Sequence, residues 1–410
     1  MTVEIPTNPV VLQRWPDLAV PRGLRAGVSA RAVDLLVRRL TRRLPLAVSY
    51  PDGTVTGSPT AVRLVLHRPD DFAARVGTAG LIGFGESYMA GDWDSPDLVG
   101  VLTVLAAHIT DLVPRPLAGL RRLHVAGHPA AERNSEDNTR DNIARHYDLS
   151  NEFFGLFLDA TMTYSAALFT GPADDLAAAQ HAKIDRLLDR AGVRSGTRLL
   201  EIGTGWGELA VRAAARGADV HTVTLSAEQR VAARERVAAA GLTDRVRVEL
   251  LDYRQVSGSY DAVVSVEMIE AVGYEYLDSY FGTIARVLAP GGRAAIQAIT
   301  MPHDRMLATR HTYTWIQKYI FPGGFLPSVR AIGESVTRST DLRVREEFSM
   351  GPHYARTLRL WRERFEEARP EIAALGFDET FARMWRLYLA YSEAGFRSGY
   401  LDVGQFVLGR

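Results

Sequence analysis

The sequence predicts an α/β protein: a doubly wound, mostly parallel sheet accompanied by a smaller N-terminal α+β domain. Three observations carry this reading. An apolar run, Arg198 to Ile202, ends in glycines at alternate positions, Gly203, Gly205 and Gly207, and a helical pattern follows from Glu208 to Arg216. Strand-like and helix-like segments then alternate as far as Ile299, which is the pattern of parallel strands joined by crossover helices. The strands end on polar residues, and in such sheets that edge holds the ligand.

The elements follow in order. Ala32 to Leu44 places Val33, Leu36, Val37 and Leu40 at helical spacing, with Arg38, Arg39, Arg42 and Arg43 on the other face. Such a face either lies on an anionic membrane or is simply solvated. Ala47 to Leu66 reads as a β-hairpin turning at Asp52-Gly53. The segments Gly83 to Tyr88 and Gly91-Asp92-Trp93 combine glycine with aromatics and suggest no chemistry by themselves. His128 to Arg140 is polar and poor in bulky apolar residues. The expected organisation is therefore an N-terminal domain over 1–130, a linker over 131–145 and a second domain over 146–410.

In the second domain the glycines let the backbone turn sharply and approach a ligand that a Cβ would block. The helix behind them offers free N–H groups. The spacing G-x-G-x-G differs from the dinucleotide pattern G-x-G-x-x-G. Val220 to Leu225 reads as the next strand, and Ser226 as the N-cap of the helix after it. Arg245 to Leu251 alternates like a strand and ends at Asp252-Tyr253. Tyr260 to Val266 is another, ending at Glu267-Met268-Ile269-Glu270. Pro290-Gly291-Gly292 predicts a turn before a strand from Arg293 to Ile299.

Composition narrows the function. A chain of 410 residues is long for one domain. Equal numbers of basic and acidic residues, 48 each, remove any bulk electrostatic argument for nucleic acid. With no cysteine, disulfides, thiolate metal sites and a cysteine nucleophile are excluded. No metal-ligand pattern stands out. Only Lys183 and Lys318 are lysines; the other basic residues are arginine. Met1 to Val11 lacks the design of a signal peptide, and the apolar stretch Leu98 to Val113 is interrupted by His108 and Asp111. The expected setting is cytoplasmic, peripheral at the inner membrane face.

Five segments together carry a resemblance. They are Ala144 to Phe154 with Met162-Thr163-Tyr164-Ser165 shortly after; Glu201 to Gly207; Leu225 to Gln229; Ser265 to Gly273; and Tyr319 to Ser328. Their order and content over residues 81–410 resemble the cyclopropane-fatty-acid synthases, including the mycolic-acid branch. The resemblance implies a class I, Rossmann-like methyltransferase that moves a methyl group from S-adenosylmethionine to a cis double bond in a lipid acyl chain. It implies that Tyr164, Ser165, Glu201, Gly203, Gly205, Gly207, Thr224, Leu225, Gln229, Asp252 and Tyr253 contact the cofactor. It also implies that Glu270, Ile299 and Tyr354, with Ala166 and Gln297, hold a bicarbonate ion that acts as base. Ala166 stands where the family often has cysteine, Gln297 where it usually has histidine, and Ala271 where many relatives have histidine. Replacing His by Gln keeps a donor and removes a titratable group.

The chemistry sets further expectations. An isolated alkene is a poor nucleophile and must be aligned with the methyl donor. Methyl transfer leaves a carbocation, so water must be excluded, and an aromatic-lined pocket does that. Phe153, Phe154, Phe157 and the stretch Trp315 to Phe325 are candidates, each of which also reads as ordinary core. A base then removes one proton. Taken directly from the new methyl, this closes a cyclopropane; after a hydride shift it leaves an exocyclic methylene. The altered ion site resembles the branch that makes 10-methyl fatty acids such as tuberculostearic acid from oleoyl phospholipid, with a separate flavin-dependent reductase as partner. Direct cyclopropane formation is the alternative product. A small-molecule methyltransferase would lack the Tyr319 to Ser328 segment, and a lipid-binding protein with a decayed cofactor site would have no need of Gly203, Gly205 and Glu270. A homo-oligomer is compatible with all of these readings.

Overall fold

The computed structural model of the chain describes residues 13–109 and 150–410. The linker expected over 131–145, and residues 144–149 of the first resembling segment, lie outside the described residues. Two compact units are present. One gathers the described residues up to 109 with Thr312–Ile320 and Phe365–Gly399; the other gathers residues 150 to 311 with Phe321–Arg364 and Tyr400–Arg410.

The first unit contains four short strands: β1 (Leu46–Ser49), β2 (Val55–Thr56), β3 (Val62–Leu66) and β4 (Trp93–Asp94). β1 and β2 form the expected hairpin, with Gly53 at a φ of +84° in the turn. β3 does not extend it as a second hairpin arm; it lies parallel to β1. The helix expected from Ala32 begins earlier and spans Leu24–Arg43. The glycine-aromatic segment becomes intelligible here. Gly83 lies on the helix Leu81–Met89, where a Cβ would come within 2.0 Å of the Arg75 carbonyl oxygen on the helix Pro69–Ala79. At Gly85 a Cβ would meet the indole of Trp315 at 2.3 Å. These glycines exist for close packing.

The second unit is built on β5 (Arg198–Ile202), β6 (Asp219–Thr224), β7 (Val246–Leu250), β8 (Tyr260–Val266), β9 (Leu288–Thr300), β10 (Arg343–Ser349) and β11 (Asp402–Gly409). Their order in the sheet is β10-β11-β9-β8-β5-β6-β7. The five strands from β9 to β7 run parallel, and β11 and β10 close one side antiparallel. From β5 the chain moves outward to β6 and β7, then returns to the other side of β5 for β8 and β9. The reversal lies between β5 and β8, where a doubly wound sheet opens a crevice at its carboxyl edge.

Strand alternation sends successive side chains to opposite faces. Leu199, Ala262, Val264 and Ala295 pack with the helices Leu176–Ala191, Glu208–Ala215 and Ala227–Ala239. Leu200, Ile202, Val263, Ala294 and Ile296 pack with the helices Leu277–Val287 and Val329–Ser339. With both faces covered, central strands are apolar throughout. The turn expected at Pro290-Gly291-Gly292 is a bulge inside β9: Tyr260 pairs with Leu288, and the next paired residue, Ala262, faces Arg293. Among the described residues no helix is long and apolar enough to cross a membrane, and no group of acidic and histidine side chains could hold a metal ion.

Candidate active site

The crevice is lined first by the glycine loop. Gly203, Gly205 and Gly207 all adopt positive φ, at +97°, +52° and +89°. A Cβ at Gly207 would press on Ala233 at 3.0 Å, so this glycine serves helix packing. A Cβ at Gly205 would meet nothing within 4 Å among the described residues, so the backbone there leaves room for a ligand. Before the loop, Glu201 is buried, and burial pushes its carboxyl up to about 8. Its Oε2 has no hydrogen-bond partner among the described residues. At the end of β6, Thr224 Oγ1 donates to Gln229 Oε1 at 3.0 Å, Leu225 follows, and Ser226 caps the next helix as its sequence position predicts. After β7, Asp252 accepts from Arg254 Nε at 2.9 Å and Nη2 at 2.6 Å, beside the buried Tyr253. Burial lifts the Tyr253 phenol to about 12.

An aromatic wall stands next to this loop. Phe153, Phe154 and Phe157 are completely buried on the helix Asn151–Phe157, capped by Ser150. Tyr164 packs between Phe154 at 5.2 Å and Trp361 at 5.2 Å, and Trp206 of the glycine loop contacts Phe154 at 5.2 Å. Ring pairs at this spacing in edge or tilted geometry are attractive beyond their buried area. The expectation for Trp315 resolves differently: its indole packs on Gly85 of the first unit.

The remaining site residues converge on a carboxylate that the sequence reading passed over. Glu267 follows β8 with a φ of +49°, one of two described non-glycine residues in that region. Its Oε1 accepts from the Ala166 N–H at 2.9 Å and from Gln297 Nε2 at 2.8 Å; its Oε2 accepts from the Tyr354 hydroxyl at 2.8 Å. Ala166, Gln297 and Tyr354 are therefore brought together as expected, but around Glu267. Glu270 sits apart, with Oε1 accepting from the Ile299 N–H at 2.5 Å and Oε2 without a partner among the described residues. Desolvation, and then the charge of Glu267, lift the Glu270 carboxyl to about 8. Desolvation also raises Glu267, while Lys183, the Ala166 N–H, Gln297 and Tyr354 act against that rise.

Lys183 was the second omission. It is buried on the helix Leu176–Ala191, and its Nζ donates to Ser165 Oγ at 2.6 Å. Burial lowers its ammonium to about 8, opposed by Glu267, Asp159 and Glu201. A signal existed: a lysine on the apolar stripe of a helix, in a chain that uses arginine everywhere else but at Lys318. Glu267 had only its position, a charged residue at the end of an apolar strand.

The residues present fit S-adenosylmethionine, a cation with a nucleoside and an amino-acid end. The open space at Gly205 and the unpartnered Glu201 Oε2 are features that such a ligand completes. Among the described residues, the donors that the resemblance assigns to a bicarbonate ion are engaged by protein groups, the Ile299 N–H by Glu270 and the others chiefly by Glu267. The Ala166 N–H and the Tyr354 hydroxyl have one hydrogen each, and Gln297 spends its second on the Ala166 carbonyl at 3.2 Å.

A doubly wound sheet with a glycine cradle at its reversal point, flanked by these polar strand ends, defines a class I S-adenosylmethionine-dependent methyltransferase. The chain belongs to the family described as mycolic acid cyclopropane synthetase, which it matches over residues 134–406. It is 59% identical over 421 aligned residues to the tuberculostearic acid methyltransferase UfaA1 of Mycobacterium tuberculosis, covering 100% of this chain and 99% of that protein. The cyclopropane-fatty-acyl-phospholipid synthase of Escherichia coli K12 is 36% identical over 343 residues, 83% of this chain and 86% of the relative. Among solved structures, the mycolic acid cyclopropane synthase CmaA1 complexed with SAH and CTAB superposes with a TM-score of 0.62 at 34% identity, covering 66% of this chain and 98% of that one. Coclaurine N-methyltransferase, at 19% identity and a TM-score of 0.62, shares the fold.

Proposed function

We propose that the enzyme methylates the cis double bond of an oleoyl phospholipid chain and releases a 10-methylene chain, which a separate reductase converts to the 10-methyl branch. The observation that carries this reading is the Glu267 carboxylate, fixed by three donors where the resemblance places a bicarbonate base. The full-length similarity to a tuberculostearic acid methyltransferase supports it. When bound, S-adenosylmethionine supplies an electrophilic methyl group. Glu201, Gly203, Gly205, Thr224 and Asp252 hold the cofactor, and Phe154, Phe157, Tyr164 and Trp361 keep water from the cation left on the lipid. With the methyl on C10, a hydride moves from C10 to C9, and Glu267 takes a proton from the new methyl to form the exocyclic double bond. Tyr354 and Gln297 hold the base against the cation, and the charge of the buried Lys183 favours its carboxylate form.

Access to the acyl chain comes through peripheral docking on the inner leaflet. Leu35, 69% exposed, shares the helix Leu24–Arg43 with the exposed Arg39, Arg42 and Arg43, an arrangement suited to an anionic surface.

The test is an incubation of the chain with S-adenosylmethionine and dioleoyl phosphatidylglycerol vesicles. S-adenosylhomocysteine should accumulate with a lipid one CH₂ heavier. Proton NMR of that lipid should show vinylic methylene protons; cyclopropane protons instead would overturn the product assignment. Glu267→Gln should lower product formation about 10²–10⁴-fold, the usual weight of a positioned base, with cofactor binding retained.

A further inference from the structure

Behind Glu267 runs a row of side chains used by neither the cofactor loop nor the aromatic wall. Gln297 and Gln405 are directly opposed on β9 and β11, and both are completely buried. Gln297 Nε2 donates to Glu267 Oε1 at 2.8 Å and to the Ala166 carbonyl at 3.2 Å. Gln297 Oε1 accepts from Gln405 Nε2 at 3.1 Å, and the same Nε2 donates to the Lys183 carbonyl at 3.2 Å. Gln405 Oε1 accepts from Arg186 Nη1 at 2.6 Å. Arg186 is in turn held by Glu346 at 2.7 Å and lies over the Phe348 ring at 3.9 Å.

The direction of this row is forced. A guanidinium only donates and a carbonyl only accepts, so each amide has one orientation that leaves none of these groups unpaired. Every bridging N–H then points toward Glu267, and aligned hydrogen bonds polarise one another. Amides and a guanidinium hold their protons at neutral pH, so the row orients and polarises without conducting protons. The other groups facing Glu267 are Lys183 from the helix Leu176–Ala191, Tyr354 from the helix Gly351–Glu367, and Glu270 from its own turn. The first two favour the carboxylate and the last, when ionised, opposes it.

We propose that Gln405 and Arg186 are positioning residues that fix Gln297 as a donor and so set the geometry and proton affinity of Glu267. The inference rests on Glu267 being the base of the reaction above. Gln405→Glu keeps size and the contact with Arg186 but replaces the donor by an acceptor, so Gln297 turns its amine toward the new carboxylate. Arg186→Met removes the cation that starts the row.

The experiment uses the full chain, S-adenosylmethionine and dioleoyl phosphatidylglycerol vesicles across a pH series. S-adenosylhomocysteine counts methyl transfers and methylene lipid counts proton removals. In Gln405→Glu the ratio of methylene lipid to S-adenosylhomocysteine should fall on the acid limb of the profile, by up to about tenfold for one pKa unit, and recover as pH rises. The missing fraction should appear as alcohol, from water adding to the cation with release of a proton. Arg186→Met should shift the profile the same way by less, and Arg186→Lys should restore it. Cofactor affinity by calorimetry should not change. A ratio that matches wild type at every pH, or a rate that falls equally at every pH, overturns the proposal. Should Gln405→Glu fail to fold by circular dichroism, the Arg186 pair decides by the same criterion. A wild-type chain that forms no S-adenosylhomocysteine overturns the function itself; a working wild type with unshifted variants overturns only the positioning role.

Discussion

Glycine at 205 is required by its backbone. Its φ is +52°, and a side chain there would project into space that no atom of the other described residues within 4 Å fills. A β-branched residue resists that φ and would stand where the cofactor approaches. Gly205→Val should therefore abolish S-adenosylmethionine binding in calorimetry while the circular dichroism spectrum stays native. Unchanged affinity would remove this loop from the cofactor site. Glu270 poses a different question, because burial and Glu267 hold its carboxyl near 8, raised from 4.5. A carboxyl raised in the folded state contributes stability that is full below the unfolded value and lost as pH rises through the folded one. Glu270→Gln should accordingly melt at a higher temperature than wild type near about pH 9 and close to wild type near about pH 5, by scanning calorimetry. Equal shifts at both pH values would mean that Glu270 is ionised in the fold throughout. Sequence reading located Glu270, Tyr354, Gln297, Ile299 and Ala166 through the resemblance. It passed over Glu267 because a positive φ leaves no local pattern, and the resemblance that groups Ala166, Gln297 and Tyr354 assigns no role to position 267.

At the scale of elements, periodicity located the parallel strands well. β8 has the expected limits, and β6 and β7 differ by a residue at each end. What failed was geometry that a neighbour imposes. The bulge in β9 depends on its register with β8, and β3 runs parallel to β1 because of pairing that its own sequence does not encode. The helix Leu24–Arg43 was recognised by its apolar stripe, and Val33 is indeed buried there. Its polar face is uneven: Arg38 pairs with Asp34 at 2.8 Å, whereas Arg39, Arg42 and Arg43 have no ion-pair partner among the described residues. Each of these near an anionic leaflet is worth about 1 kcal/mol, screened by salt. Changing Arg38, Arg39, Arg42 and Arg43 to Glu should release the chain from anionic vesicles in sedimentation, and added salt should weaken wild-type binding in the same assay. Intact binding by the quadruple variant would leave this face as solvated surface.

For the whole molecule, the first unit is assembled from three stretches of chain. Lys318 Nζ bonds Glu86 at 2.6 Å, and Arg383 donates to the carbonyls of Tyr88 at 2.7 Å and Trp93 at 3.0 Å. Partners so distant in sequence leave no trace in local pattern, and the sequence reading placed all of 146–410 in the second domain. A fragment covering residues 1–130 would lack Trp315, Lys318 and Arg383, leaving Glu86 buried without its cation. It should show no cooperative thermal transition by circular dichroism, whereas the full chain should show one. A fragment that melts cooperatively would make those returning segments dispensable.

The proposed base, Glu267 at a φ of +49°, has a consequence outside the protein. A carboxylate tethered to the backbone is present at a fixed effective concentration, independent of what is dissolved around it. Turnover should therefore proceed undiminished in buffer stripped of carbon dioxide, so that lipid branching is uncoupled from the supply of inorganic carbon. Glu267→Gly would relieve the backbone and leave three donors around a hole the size of a carboxylate. That variant should be inactive in stripped buffer and recover as formate or bicarbonate is titrated in, with saturation kinetics that the wild type lacks.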